Sequence, residues 1–193
     1  MTVRPLSTLA GRLLPRFGDR TGGAESWRTR LTRWRYNLDP TYRRTGGRIT
    51  FIADDWREIR VQLPLTRRTR SYAGTIFGGA MFAAFDPFFM IMLIKVLGPG
   101  HVVWDKAATI QFRRPGRSTL EGRFVLPPGA IEEIRSRLAD APKTERVFTV
   151  ELTSADGTVH AVIDKTVHVR RHAPGAAGAR LHPTPATEKG SDT

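Results

Sequence analysis

The chain has 193 residues, 40% of them apolar and 25% charged, with a formal net charge of +13. That suits one globular domain with a sizeable core and flanking segments. There is no cysteine, which excludes disulfides, thiolate zinc sites and a cysteine nucleophile and agrees with a cytoplasmic protein.

Residues 1–47 read as a basic N-terminal arm. Pro5, Gly11 and Pro15 interrupt its start, so it does not resemble a secretory signal. Residues 1–48 hold eleven Arg against three acids (Asp19, Glu25, Asp39), a net +8, and the remainder carries only +5. The partners such an excess suggests are phosphate, anionic lipid or an acidic surface. From Glu25 to Tyr36, Trp27, Leu31 and Trp34 recur at helical spacing among Arg28, Arg30, Arg33 and Arg35. This predicts an amphipathic helix with an aromatic edge, docked on the domain rather than free.

After Gly46-Gly47 the period changes to two. Ile49, Phe51 and Ala53 are expected on one face of a first strand, and Ile59, Val61 and Leu63 on one face of a second, with Asp54-Asp55 as the turn. Thr75 to Leu97 is almost continuously apolar and ends at Gly98-Pro99-Gly100. Its length admits a membrane span. Against that, Asp86 would cost roughly 2.5–3.5 kcal/mol near the bilayer centre, and Pro87 and Gly78-Gly79 weaken the helix. The segment therefore predicts one long helix wrapped by a soluble core, bent at Pro87. Strand alternation returns at Ala108, Ile110 and Phe112. A turn at Arg114-Pro115-Gly116-Arg117 leads to a strand over 118–126. Pro127-Pro128 open a short helix lined by Ile131, Ile134 and Leu138. Two strands, 146–154 and 158–170, flank the hairpin signal Ala155-Asp156-Gly157. Residues 172–193 lack apolar periodicity and read as a disordered tail. The order predicts an α+β domain over 48–171, an antiparallel sheet curled around one apolar helix.

That order, with the run Gly74-Thr75-Ile76-Phe77-Gly78-Gly79, Asp86 seven residues after Gly79, and the Gln111-to-Gly116 turn, resembles the hotdog-fold acyl-CoA thioesterases of the phenylacetate-pathway and human type. Within that superfamily it is most similar to a hotdog family labelled only as a domain of unknown function. The resemblance implies a thioester hydrolase without cofactor, acting on an acyl-CoA-type substrate as a homodimer or homotetramer. It implies that Gly78 N–H stabilises the oxyanion, with Gly79 beside it, and that Asp86 is nucleophile or general base. The two would come from different subunits. A helix N-terminus suits an oxyanion on physical grounds as well. Phe77 stands where the family has His, and Ser71 where it often has Asn. Asp105 maps onto a water-positioning Ser or Thr. It would pair with Asp86 and raise one of the two pKa values, or else be a surface aspartate beside Lys106.

Structural alternatives stay open at each position. Gly78-Gly79 would also let the helix pack closely, Asp86 could serve a buried hydrogen bond, and Arg113, Arg114 and Arg117 either meet CoA phosphates or are solvated. The five histidines share no ligand spacing, so no metal site is expected. The alternative functions are a non-catalytic module that binds an acyl chain or acyl-CoA and a nucleic-acid or membrane-surface adaptor acting through the basic arm, although no groove-reading motif is present.

Overall fold

The computed structural model describes residues 23–172. The tail expected from 172 therefore lies, except for His172, outside the described residues, as do residues 1–22 of the arm.

The chain enters through α1 (Trp27–Leu38) and α2 (Pro40–Thr45). Ser26 caps α1 reciprocally: its hydroxyl accepts from Thr29 N–H, and Thr29 Oγ1 accepts from Ser26 N–H at 3.1 Å. Asp39 caps α2, whose first residue is Pro40, the position where a missing N–H costs nothing. Helix α1 docks beside β1 (Arg48–Ile52) and closes that strand's free edge. Asn37 Nδ2 donates to Ile49 O and its Oδ1 accepts from Ile49 N–H, both at 2.8 Å, while Glu25 accepts from Ile52 N–H. The docking face is not the aromatic one, however. Thr29 is buried, whereas Trp27, Leu31 and Trp34 are exposed.

Six antiparallel strands form one sheet in the order β1-β2-β4-β5-β6-β3. The others are β2 (Glu58–Leu63), β3 (His101–Phe112), β4 (Leu120–Val125), β5 (Lys143–Thr153) and β6 (Val159–Arg171). A bulge between Ile49 and Phe51 overturns the simple alternation expected in β1. Ile49 and Ile52 face the core, and Phe51 is left half-buried under the Arg60 guanidinium. Strand β3 starts at His101, well before the alternation that marks it in the sequence, because a second bulge between Asp105 and Ala107 hides the period of its first half.

The expected single central helix is two, α3 (Gly78–Phe85) and α4 (Phe88–Leu97), broken at Asp86-Pro87. Pro87 cannot donate to the turn before it. Phe85, Phe88 and Phe89, one on each helix end and its neighbour, all meet the Phe124 ring, at centroid distances of 6.3, 5.0 and 5.0 Å. A Cβ on Gly122 would lie 2.5 Å from the Phe85 ring, so only glycine lets β4 approach the helix this closely. The stretch Gly78–Leu97 is long and apolar enough to cross a membrane, with a mean hydropathy of 1.9. Met81, Phe85, Phe88, Phe89, Met92 and Leu93 are instead buried in the hydrophobic core of the domain, so the stretch is the core helix. Helix α5 (Pro128–Asp140) covers the sheet through Ile131, Ile134 and Leu138, as the sequence predicts.

Candidate active site

At the break in the central helix, Asp86 meets the β6–β3 end of the sheet. Lys165, on β6, is 1% exposed and reaches both candidate carboxylates. Its Nζ donates to Asp86 Oδ1 at 2.5 Å and lies 2.9 Å from Asp105 Oδ2. The same ammonium sits 5.8 Å from the Phe82 ring centroid. Among the described residues, these groups replace the hydration of a lysine this deep.

Asp105 reaches the cluster because of the β3 bulge. Strict alternation would put it on the outer face with Ala107, Thr109 and Gln111. The extra residue at Lys106 instead leaves Asp105 opposite Val167 and Ala108 opposite Lys165, all on the helix-facing side. Burial pushes the Asp105 carboxyl above the ordinary aspartate range. Lys165 opposes the shift by hydrogen bond and charge, and the negative Asp86 adds to it. Asp105 Oδ1 is buried with no hydrogen-bond partner among the described residues.

Asp86 is not the buried carboxylate that its apolar surroundings suggest. Its side chain is 42% exposed, and the buried ion is its partner. It opens onto a cleft of about 940 Å³ between α1–α2 and the central helix, walled by Tyr36, Leu38, Tyr42, Ala83, Ile91 and Lys95 among others. Tyr42 fixes one wall, its hydroxyl donating to Ala84 O at 3.2 Å. Burial pushes this phenol up.

The other sequence candidates gather at the far end of α3. Phe77 is the N-cap and no side chain caps the helix, so the first N–H groups at Gly78 and Gly79 are available. The Phe112 ring lies over Gly78 and the Phe77 ring over Gly79, where added Cβ atoms would fall 2.8 and 2.4 Å from them. Ile76 N–H bonds to Gly116 O, which holds the 113–117 turn beside this helix end. Arg113, Arg114 and Arg117 are exposed there. Ser71 bonds locally to Thr75, through its N–H at 2.7 Å and its hydroxyl at 3.2 Å. Gly78 and Asp86 are eight residues apart, about 12 Å along a helix. One protomer therefore brings Asp86, Asp105 and Lys165 together, and separates them from Gly78, Gly79, Phe77, Ser71 and the arginine turn.

Sequence reasoning missed Lys165 and the contribution of α1 and α2 to the cleft. The signal for Lys165 was present. In β6, Ala161, Ile163, Val167 and Val169 mark the inward phase, and Lys165 falls on it.

Comparison with known proteins gives a consistent picture. The family model described as Domain of unknown function (DUF4442) matches residues 29–169. No curated protein matches. A Pseudomonas aeruginosa protein of unknown function, described as a probable thioesterase, superposes with a TM-score of 0.65 at 21% identity, covering 78% of this chain and 100% of its own. A Haemophilus influenzae thioesterase gives 0.53 at 17% identity, covering 71% and 87%. A mutant thioesterase from Pseudomonas aeruginosa gives 0.55 at 14%, covering 74% and 94%. At these identities the likeness is one of fold, and the fold is the hotdog expected above.

Proposed function

The chain belongs to the family described as Domain of unknown function (DUF4442), and from that premise we propose that it hydrolyses a thioester of the acyl-CoA type. The observation that carries the reading is the buried Lys165 bridging Asp86 and Asp105 at the wall of an open cleft. An apolar core does not need a cation there, and a water-activating carboxylate does need to be held and kept ionised.

In this reading Asp86 takes a proton from a water whose oxygen adds to the thioester carbonyl carbon. The resulting oxyanion accepts hydrogen bonds at a helix N-terminus, and collapse breaks the C–S bond while the thiolate takes the proton back from Asp86. Lys165 fixes the Asp86 carboxylate, and Asp105 Oδ1, without a partner among the described residues, would hold a water. The 12 Å helix separation means that the oxyanion donor cannot be the same protomer's Gly78. The partner subunit's Gly78 and its arginine turn supply the donor and the contacts to CoA phosphates. A dimer of this kind agrees with the edges of the sheet. α1 covers β1, whereas β3 pairs only with β6 among the described strands and leaves twelve residues open on its other side.

One observation favours a second reading, a non-catalytic acyl-CoA-binding protein: Phe77 stands at the helix start, 59% exposed, where related enzymes carry an imidazole. One experiment separates the two. Asp86→Asn should lower turnover of acyl-CoA esters, screened by chain length, at least about a hundredfold, with binding of the same esters retained. No measurable hydrolysis by the wild type with tight binding intact would establish the binding module instead.

A further inference from the structure

One face of α1 is turned away from the rest of the described chain. Trp27, Leu31, Trp34 and Leu38 are each between 53% and 70% exposed. At 100° per residue they fall within about 60° of arc and run about 16 Å along the helix. The opposite face is the docked one, through buried Thr29, Asn37 on Ile49 and Arg33 on Glu25 at 2.7 Å. Scattered exposed apolar residues are ordinary, but a stripe with two tryptophans is not.

Arginines border the stripe on both sides, Arg28 and Arg35 on one and Arg30 on the other. The Arg28 guanidinium lies 5.5 Å from the Trp27 ring. Arg43 and Arg44 follow, exposed, on α2. Over residues 27–48 there are seven Arg and one acid. Tryptophan and leucine on one face with arginine at its borders is the composition that lies flat in a lipid headgroup layer, the indoles at the interface and the guanidinium groups on phosphate.

We propose that this face docks the protein on an anionic lipid bilayer. A second copy of the chain fits it less well, because a two-fold contact would set the arginine borders of one copy against those of the other. The open strand edge, β3, is also on the opposite side of the sheet from β1, where α1 packs. Leu38, in the stripe, and Arg35, at its border, also line the cleft that Asp86 faces. Docking therefore sets the cleft mouth at the membrane surface, where long acyl chains reside. That consequence rests on the hydrolase reading, whereas the docking itself does not.

Flotation of the full chain with vesicles tests docking without using hydrolysis. Vesicles of phosphatidylcholine mixed with phosphatidylglycerol should carry the protein, with binding weakened by added salt, and pure phosphatidylcholine should carry little. Trp27→Ser with Trp34→Ser should cut the partition coefficient at least about tenfold, and Trp34→Ser alone by an intermediate amount. Both sites are exposed, so the melting temperature should not move. Equal partition of variant and wild type, indifference to lipid charge, or no vesicle binding at all would overturn the proposal. So would loss of the native oligomer in the double variant, which would assign the stripe to self-association.

Discussion

Replacing Lys165 by Met removes the ammonium but keeps most of the stem's volume, so the expected loss is electrostatic rather than a cavity. At separations of 2.5 and 2.9 Å and an effective dielectric near 20, each ion pair is worth roughly 6 kcal/mol. Desolvating the ammonium and Asp105 offsets several kcal/mol per ion. The net cost of deleting the cation is the cost of what it leaves, two carboxylates facing one another with one in a buried setting. For broken buried pairs that cost is about 3–5 kcal/mol. Urea unfolding at neutral pH should show it as a fall in the transition midpoint with little change in slope. The variant has an internal remedy. Adding Asp105→Asn removes the buried charge that lost its partner, and the double variant should recover at least half of the deficit. If Lys165→Met unfolds within about 1 kcal/mol of wild type, or if Asp105→Asn deepens the loss, the cluster is not held by the charges as argued.

Two further outcomes follow from other parts of the fold. Burial raises the Glu58 carboxyl, but hydrogen bonds and charge from Arg123 and Arg60 outweigh it and hold the group at about 2. A depressed acid contributes stability above its unfolded value near 4.5 and loses it as pH falls toward 2. Acid unfolding should thus steepen in that window, and Glu58→Gln, which leaves Arg123 buried, should flatten it and cost about 3 kcal/mol at neutral pH. At the open edge, Ile110 of β3 is the second test: because Arg113 N–H donates to His160 O and donors alternate along the pair, the Ile110 N–H points away from β6, so Ile110→Pro should turn the proposed dimer into a monomer in light scattering and abolish hydrolysis while the single-chain fold persists.

Much of this architecture was legible in the sequence because burial and period agree. All six strands, the core helix and α5 follow from alternation, from a long apolar run and from turn residues. What was hidden depends on single-residue insertions and on partners far away in the chain. The bulges at Ile49/Phe51 and Asp105/Ala107 shift the phase of a strand by one, which no period reading survives. Asp86 was visible as an anomaly in an apolar helix, but its companion lies 79 residues away, on a strand whose sequence gives no link to it. The outward turn of the α1 aromatics was illegible for another reason. Amphipathic spacing says which residues share a face, not which face is turned to the protein, and here Asn37 and Glu25 dock the helix by hydrogen bonds to a strand edge instead.

The Asp86-Pro87 break reconciles two demands on one segment. A hotdog core needs an apolar helix throughout, and a hydrolytic carboxylate needs access to water. Asp86 falls on the helix face of Gly79 and Ala83, both exposed, beside the face of Phe85, Phe88 and Phe89, each at most 1% exposed. Across the break all three rings stay on Phe124, and Asp86 faces the cleft. The lost helical hydrogen bond at Pro87 is the direct cost, about 3 kcal/mol or more in a helix interior. The Lys165 bridge then ties the half-exposed carboxylate to the sheet at the one point where the helix is weakest. On this view the charge cluster and the helix break are a single device, and the buried lysine is what lets the core tolerate a carboxylate with one oxygen bound inside and the rest of its side chain facing the cleft.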